Sequence, residues 1–321
     1  MKSKNYLLQD ISHTGVYLGI IVLVTAAFSN MGTALSEILK KTGVFDHISS
    51  GMIYFYTNYF YTDLIDVIAI GIGILLFGVT SKQKNDVKKT DKQSIVLGVM
   101  AVFGTSWIGS FCAWLLEKAV SMTGHELSDH VLTMPQGQLL PLAMISISCV
   151  ITGPFLEEIL FRGIILKNME SYGKMTAVFI SAICFTIFHF NLLQIVTPFL
   201  MGILLGILTV ETGSVKSAIL AHILNNAAVF LPDIWLEPTT VTYHRVSAIL
   251  NIFTIIIGVA GMFLFIRKSK KEIVALGKKE VSETGISIKC KILYVLKNPV
   301  MLVLIGLYIA EASYFLKKLI S

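Results

Sequence analysis

Apolar segments about as long as a bilayer is thick follow one another along the chain, and they constrain its fold more than any other feature. A helix needs about 20 apolar residues to cross roughly 30 Å of hydrocarbon. Candidate spans lie near residues 14–33, 61–80, 94–117, 139–166, 175–195, 196–212, 217–232, 245–266 and 298–316. The sequence therefore predicts an all-α fold, a polytopic transmembrane helix bundle of about eight or nine spans.

The composition agrees with a membrane protein. Mean hydropathy is +0.75, with 55% hydrophobic and 14% charged residues, which is too apolar for an ordinary soluble domain. The longest polar segments, about 81–93 and 267–297, are too short to bury a core of their own. We therefore predict a single membrane domain over residues 1–321.

The basic residues predict how the chain is oriented. With a cytoplasmic N-terminus, 20 of the 26 Lys and Arg residues lie on the inside, in agreement with the positive-inside rule. Lys317 and Lys318 depart from that rule, so the last span is the least well defined. The membrane thus accounts for the net charge of +6, and we predict the lipid bilayer, and no nucleic acid, as a partner.

Other features of the sequence predict the location of the protein, the type of its first apolar segment and the role of its cysteines. Only three of the 26 basic residues are Arg, which is typical of a low-GC bacterium, so we predict a multi-pass protein of a bacterial cell membrane. The first apolar run follows a polar lead of about a dozen residues and has no clear A-x-A site, so it is predicted to be an anchor and not a signal peptide. Cys112, Cys149, Cys184 and Cys290 show no CxxC pairing and are predicted to be small core residues.

The stretch GPFLEEILFRGIIL, residues 153–166, places three charges inside an apolar segment. Ionisable groups at this depth cost about 3 kcal/mol or more and usually mark function. Glu158 and Arg162 are four residues apart, so they share a helix face and can pair. Glu157 points about 100° away and stays available as a general base. The alternative is that all three charges end the helix at the cytoplasmic surface, where Arg162 reaches water.

Two further apolar segments carry histidines. FTIFHF places Phe185 one turn before His189, and AHILNNAAVF places His222 and Asn226 four residues apart, with Asn225 pointing aside. A lone buried histidine is more often a hydrogen-bonded core residue. Together, however, a carboxylate and an imidazole can activate water, while a second imidazole and an amide stabilise an oxyanion. This set predicts hydrolysis without a covalent intermediate.

Other chemistries compete for the same residues. Glu157, His189 and His222 could instead bind a divalent metal such as zinc. HExxH is absent, however, and HELSDH at residues 125–130 spaces its histidines too far apart for one helix face, so it is predicted to be a solvated loop. No GxSxG elbow occurs, and Asp63 and Asp66 lack the GxGD partner of an aspartyl intramembrane protease.

The order EExxxR, FxxxH and HxxxN resembles the CPBP family, also called Abi, which holds CAAX prenyl endopeptidases and bacteriocin-processing enzymes. The resemblance covers about residues 139–232, the predicted catalytic core. The flanking spans, 1–118 and 245–321, carry no signature of their own. The family resemblance implies an intramembrane endopeptidase in which Glu157 activates water with His189.

In that family resemblance His222 and Asn226 stabilise the oxyanion, and Glu158, Arg162 and Phe185 support the site. Both a metalloprotease and a metal-free glutamate mechanism fit the family, and the missing zinc motif favours the glutamate mechanism, with no cofactor required. The expected substrate is a membrane-associated peptide or protein, cut near the cytoplasmic half of the bilayer. A bacteriocin leader, a signalling pheromone or a membrane-protein segment would all fit.

Two non-proteolytic functions remain as alternatives. The first is a non-enzymatic membrane protein, such as a bacteriocin self-immunity factor that binds a peptide toxin or its target. The second is a proton-coupled transporter, since buried Glu and His also form proton relays. Neither an inverted repeat nor paired broken helices support the transporter.

Overall fold

A computed structural model describes residues 4–29, 38, 41–42, 47–78, 91–122, 134–191 and 195–320. Its helices are α1 (Lys4–Ser29), α2 (Ser50–Phe77), α3 (Lys92–Ser121), α4 (Leu139–Tyr172), α5 (Lys174–Phe188), α6 (Val196–Thr212), α7 (Val215–Trp235), α8 (Val241–Thr284), α9 (Ile288–Leu296) and α10 (Pro299–Ile320). These ranges contain no strand, so the predicted all-α fold is confirmed. The predicted loop at residues 125–130 lies outside them.

The lengths of the helices support fewer membrane spans than the sequence predicts. Among the described residues, six helices, α1 to α4, α7 and α8, are long and apolar enough to cross a membrane. The pair α9 and α10, bent by 76°, would make a seventh span. The count of eight or nine is not confirmed, because α5 and α6 have only 15 and 17 residues. At 1.5 Å per residue they reach about 22 and 26 Å, short of the roughly 30 Å of hydrocarbon.

The two short helices form a hairpin packed into the bundle. α5 follows directly on α4, and α6 leads directly into α7, so both outer ends of the hairpin lie on one side. Glycines let α6 approach α5 closely: a Cβ added to Gly202 would lie 2.9 Å from the Ala182 Cα, and one on Gly206 would lie 3.1 Å from Val178. The tip of the hairpin therefore reaches a position level with the middle of α4.

Polar contacts show which helix ends lie together. At one end, called the basic end here, the bonds are Ser94 Oγ to Glu211 at 3.2 Å, Lys291 Nζ to the Tyr172 carbonyl at 2.7 Å, and Lys268 to Asp91. At the far end, they are Gly51 N to Gln138 at 3.2 Å, Trp235 Nε1 to Ser146 at 2.8 Å, and Tyr243 to Asp233 at 2.9 Å. The Lys-rich half of α8 lies at the basic end, which is the end predicted to be cytoplasmic by the positive-inside rule.

A buried ion pair joins helices at the basic end. The Glu280 carboxylate caps the start of α5 by accepting from the Met175 backbone N–H at 3.0 Å, and it pairs with Lys291 at 3.0 Å. Such a cap satisfies a backbone donor that the first turn of a helix leaves free. Gly173, with φ of +131°, allows the approach, since a Cβ there would lie 1.9 Å from the Glu280 Cδ. The α4–α5 turn is thereby fixed against the end of α8.

The cysteines form no disulfides with one another, whereas glycines bring two helices close together. All four cysteines are free, but only Cys184 is a buried core residue as predicted, while Cys112, Cys149 and Cys290 are partly exposed. Glycines bring α3 and α8 into close contact: a Cβ on Gly258 would lie 2.4 Å from the Gly104 nitrogen, and one on Gly261 would lie 2.4 Å from the Met100 Cβ. Because lipid gives little hydrophobic drive between helices, such close packing is a main source of their association.

The α3–α8 contact yields a stability prediction. Gly258→Ala places a methyl group against the α3 backbone, and overpacking of this kind costs about 1–3 kcal/mol. We expect a clearly lower thermal unfolding midpoint of the detergent-solubilised protein. Gly71→Ala is the matched control, because nothing lies within 4 Å of its added Cβ. Equal midpoints for the two variants would contradict the close α3–α8 packing.

Candidate active site

The helix that carries the glutamates is not a uniform α-helix. α4 widens into π-helical turns at Ser148–Thr152 and Ile159–Leu166, on either side of the α-helical segment Gly153–Glu158, with Pro154 near its start. π-helical turns inside α-helices occur frequently at functional sites. They also rotate the side chains that follow, so the directions of these side chains depart from those that ideal helical spacing predicts.

Glu158 is the centre of a buried ion-pair network. Arg162 Nη1 donates to its Oε1 at 2.9 Å, and neither side chain exposes any surface. His222 Nδ1, on α7, lies 2.9 Å from the same oxygen. Because Arg162 is fully buried well before the end of α4, the alternative in which it reaches water at the membrane surface is wrong. The predicted Glu158–Arg162 pair is present, and it also includes a histidine from another helix.

Phe185 packs at the centre of three of these groups. The Arg162 Cζ lies 4.6 Å from the centroid of its ring, within the range of a cation–π contact. The His189 and His222 rings meet it edge to face, at centroid distances of 4.8 and 5.9 Å. One buried aromatic ring therefore sets the spacing between the two histidines and the arginine.

Glu157 points to a different side of α4 from Glu158. Its Oε2 lies 3.7 Å from His222 Nε2, and its side chain is 18% exposed while that of Glu158 is completely buried. The two ring nitrogens of His222 thus face two different glutamates. His189 is the predicted partner of Glu157 in activating water, and the structure adds His222, on α7, at 3.7 Å.

His189 lies at the tip of the α5–α6 hairpin. Its Nδ1 is 2.8 Å from the Phe185 carbonyl, and since a carbonyl only accepts, Nδ1 carries the proton. In a neutral ring Nε2 is then the free acceptor. The hairpin therefore delivers to the site an imidazole nitrogen that can take a proton from water.

The two asparagines of α7 both line the site. Asn226 donates from Nδ2 to the Cys149 carbonyl in the first π-helical segment, at 3.0 Å. An amide nitrogen has two hydrogens, so one remains for an oxyanion. Asn225, expected to point aside, accepts from Ser106 on α3 at 2.9 Å and still lines the same space.

These groups surround a cavity of about 560 Å³. The predicted residues Glu157, His189, His222, Asn226 and Phe185 all line it. Its other polar lining side chains include Asn58, Tyr59, Thr62, Asp63, Asp66, Ser106, Ser110, Glu117, Ser148, Thr197 and Asn225. Many of these belong to α2 and α3, in the flanking region that carries no motif, so sequence patterns alone could not indicate them.

The residues present do not form a ready metal site. Within the described part of the chain, no three His, Cys, Asp or Glu side chains are placed to hold a metal ion. The candidate ligands Glu157, His189 and His222 share the cavity without converging on one point, and His222 Nδ1 is already bound to Glu158. We therefore derive no step through a metal.

The cavity extends from the middle of the bundle toward the far end. Its lining includes Asn58 in the first half of α2, Glu117 near the end of α3 and Phe230 near the end of α7. Toward the basic end the site is closed by buried residues, among them Phe161 and Arg162. If the basic end is cytoplasmic, as predicted, the cavity lies toward the outer half of the bundle, whereas cleavage near the cytoplasmic half is predicted from the sequence; both stay predictions.

Comparisons with known proteins indicate the class of protein to which this chain is similar. Residues 139–228 match the family model "Type II CAAX prenyl endopeptidase Rce1-like". The chain is 29% identical over 205 residues to the Bacillus subtilis (strain 168) protein named "Putative membrane peptidase YdiL", covering 63% of this chain and 80% of that protein. No solved structure matches. The resemblance to the CPBP family is confirmed, and both matches indicate a membrane protease.

The position of the cavity predicts which side of the membrane reaches it. In single-cysteine variants, we expect a membrane-impermeant maleimide to label Asn58→Cys in intact cells, because Asn58 is exposed and lines the cavity. A variant that keeps only Cys290, which is partly exposed near the basic end, is the control and should react only after permeabilisation. The reverse pattern would mean that the cavity opens to the cytoplasm.

Proposed function

We propose that this membrane protein, whose residues 139–228 are of the Rce1-like CAAX prenyl endopeptidase type, is an intramembrane endopeptidase. It hydrolyses a peptide bond of a membrane-associated peptide or protein. The observation that carries the proposal is the position of Glu157, a carboxylate on the cavity wall opposite His222, with His189 lining the same cavity. A bilayer cavity with these three groups is suited to activating water away from bulk solvent.

In this mechanism Glu157 is the general base. It takes a proton from a water molecule, assisted by the free Nε2 of His189, while the water oxygen bonds to the carbonyl carbon of the scissile peptide. The protonated Glu157 then gives its proton to the leaving nitrogen as the carbon–nitrogen bond breaks. One amine and one carboxylic acid are formed, and no covalent enzyme intermediate is needed.

The oxyanion of the tetrahedral intermediate is assigned to α7. Asn226 keeps one amide hydrogen free. His222 takes part as an imidazolium, which donates from Nδ1 to Glu158 and from Nε2 to the oxyanion. Preorganised donors of this kind are typically worth about 10²- to 10³-fold in rate. Arg162 keeps the Glu158 carboxylate in place, and Phe185 orients both imidazoles, so these residues are positioning residues in the proposal.

Removing the carboxylate of Glu157 is the most direct test of the proposed mechanism. Glu157→Gln keeps the shape of the side chain but removes the base, so cleavage of bilayer-anchored peptides in proteoliposomes should fall by about 100-fold or more. Mass spectrometry of the new peptide termini measures the rate. Glu283→Gln, at an exposed position in α8, is the matched control and should cut at the parent rate.

Cleavage at the parent rate by Glu157→Gln would overturn the mechanism. If a cellular function, such as protection from a peptide toxin, survived Glu157→Gln combined with His189→Ala, the non-enzymatic immunity alternative would be favoured. Thermal unfolding of each variant, compared with the parent, separates a loss of chemistry from a loss of folding.

The proposed mechanism requires no cofactor, and metal removal tests that point. After incubation with a chelator and gel filtration, we expect activity within about twofold of the untreated protein, since water is activated by Glu157 and His189. Elemental analysis of the active fraction should find less than one zinc per chain. A stoichiometric metal, lost together with activity and restoring it when added back, would contradict the glutamate mechanism.

A further inference from the structure

The charges that line the cavity are all of one sign. Its carboxylates are Asp63, Asp66, Glu117 and Glu157, and the described lining residues include no Lys or Arg. Arg162, the nearest basic side chain on α4, is held by Glu158 and does not line the cavity. The proposed reaction uses only Glu157, so the other three carboxylates have no role in the chemistry described above.

Asp66 has the most unusual environment of the three. Its side chain lines the cavity but is almost completely buried, with 1% of the residue exposed. Its Oδ1 has no hydrogen-bond partner among the described residues. An unpaired carboxylate taken out of water costs several kcal/mol unless it binds a proton or an opposite charge. Asp66 therefore carries an acceptor without a partner in the described part of the chain, shielded from bulk water, at the wall of the cavity.

Asp63 lies one turn earlier on the same face of α2 and is held rigidly. Its Oδ2 accepts from Ser148 Oγ at 2.7 Å and from Thr152 Oγ1 at 2.8 Å, both in the first π-helical segment of α4. Gly153, without a side chain, leaves room there, since an added Cβ would lie 3.9 Å from the Asp63 Oδ1. α2 and α4 together thus hold Asp63 in one orientation beside Asp66.

We propose that Asp66, with Asp63 beside it, forms a subsite that binds a positively charged group of the substrate, a Lys or Arg side chain. The proposal rests on the proposed peptidase function and names the substrate class: a membrane-associated peptide with a basic residue near the scissile bond. The substrate cation supplies the partner that Asp66 Oδ1 lacks, through a charge-assisted hydrogen bond. Burial strengthens this attraction, because little water screens it.

The position of the subsite fits a role in specificity. Glu157, Asp63 and Asp66 line one continuous cavity, so a peptide with its scissile bond at Glu157 extends its neighbouring residues toward α2. Glu117, partly exposed at the far end of the same cavity, adds a negative charge near the entrance. Opposite charge along an entrance raises the local concentration of a cationic ligand and lowers that of an anionic one.

Binding of defined peptides tests the subsite. The full-length protein with Glu157→Gln, in nanodiscs, is titrated with N-acylated decapeptides that carry Lys, Gln or Glu at one position, moved along the sequence. At one or two positions we expect Lys to bind about 10- to 100-fold more tightly than Gln, and Glu more weakly than Gln. Adding Asp66→Asn should reduce the Lys-to-Gln ratio to below about threefold.

Asp233→Asn is the matched control, because Asp233 accepts from Tyr243 outside this cavity and should leave the ratio unchanged. Equal binding of the Lys and Gln peptides at every position would overturn the subsite. So would a Lys preference that survives Asp66→Asn, which would mean that Asp66 holds a proton and not a ligand cation.

A second measurement needs no change at Asp66. A Lys-containing peptide with a photoreactive group next to the Lys should crosslink to α2 in the region of residues 58–66, and a crosslink elsewhere only would contradict the assignment.

Failure of the peptidase function and failure of the subsite give different results. If parent protein binds Lys peptides selectively but never cuts them, the peptidase function fails; if it cuts Lys and Gln peptides equally, the subsite fails.

Discussion

The buried carboxylate of Glu158 is the interaction on which the site depends. Its Oε1 accepts from Arg162 on its own helix and from His222 on α7, both at 2.9 Å, and none of the three side chains is more than 3% exposed. A buried charge that loses one partner costs about 3–5 kcal/mol, so this network fixes the relative position of α4 and α7. The contact between Glu158 and His222 Nδ1 orients the His222 ring. The ring then presents its Nε2 to Glu157.

The second requirement is a way to bring His189 to the level of Glu157. Two helices too short to span the hydrocarbon achieve this by turning back inside the bundle, with glycines of α6 packed against α5. At the base of the hairpin, Glu280 and Lys291 hold the α4–α5 turn. The hairpin tip thus reaches the cavity from the basic end, while the cavity itself extends toward the far end.

The cavity combines the proposed catalytic residues with an acidic wall. Glu157, His189, His222 and Asn226 supply the groups that peptide hydrolysis needs, and α2 adds two carboxylates from a region that carries no motif. Catalysis and recognition are therefore assigned to different helices. α4, α5 and α7 carry the proposed chemistry, and α2 carries the proposed selection for a basic residue, so substrate preference can change without changes to the catalytic residues.

The sequence by itself determined the class of fold and the list of candidate catalytic residues. Apolar length specifies membrane helices, and the spacing of four residues predicts the Glu158–Arg162 pair, because both are local properties of a helix. Only the tertiary structure decided that His222 joins that pair, that α5 and α6 form a short hairpin, and that Asp63 and Asp66 line the same cavity as Glu157. These contacts join residues up to about a hundred positions apart, through π-helical turns and glycine packing, and no periodicity within one helix encodes them.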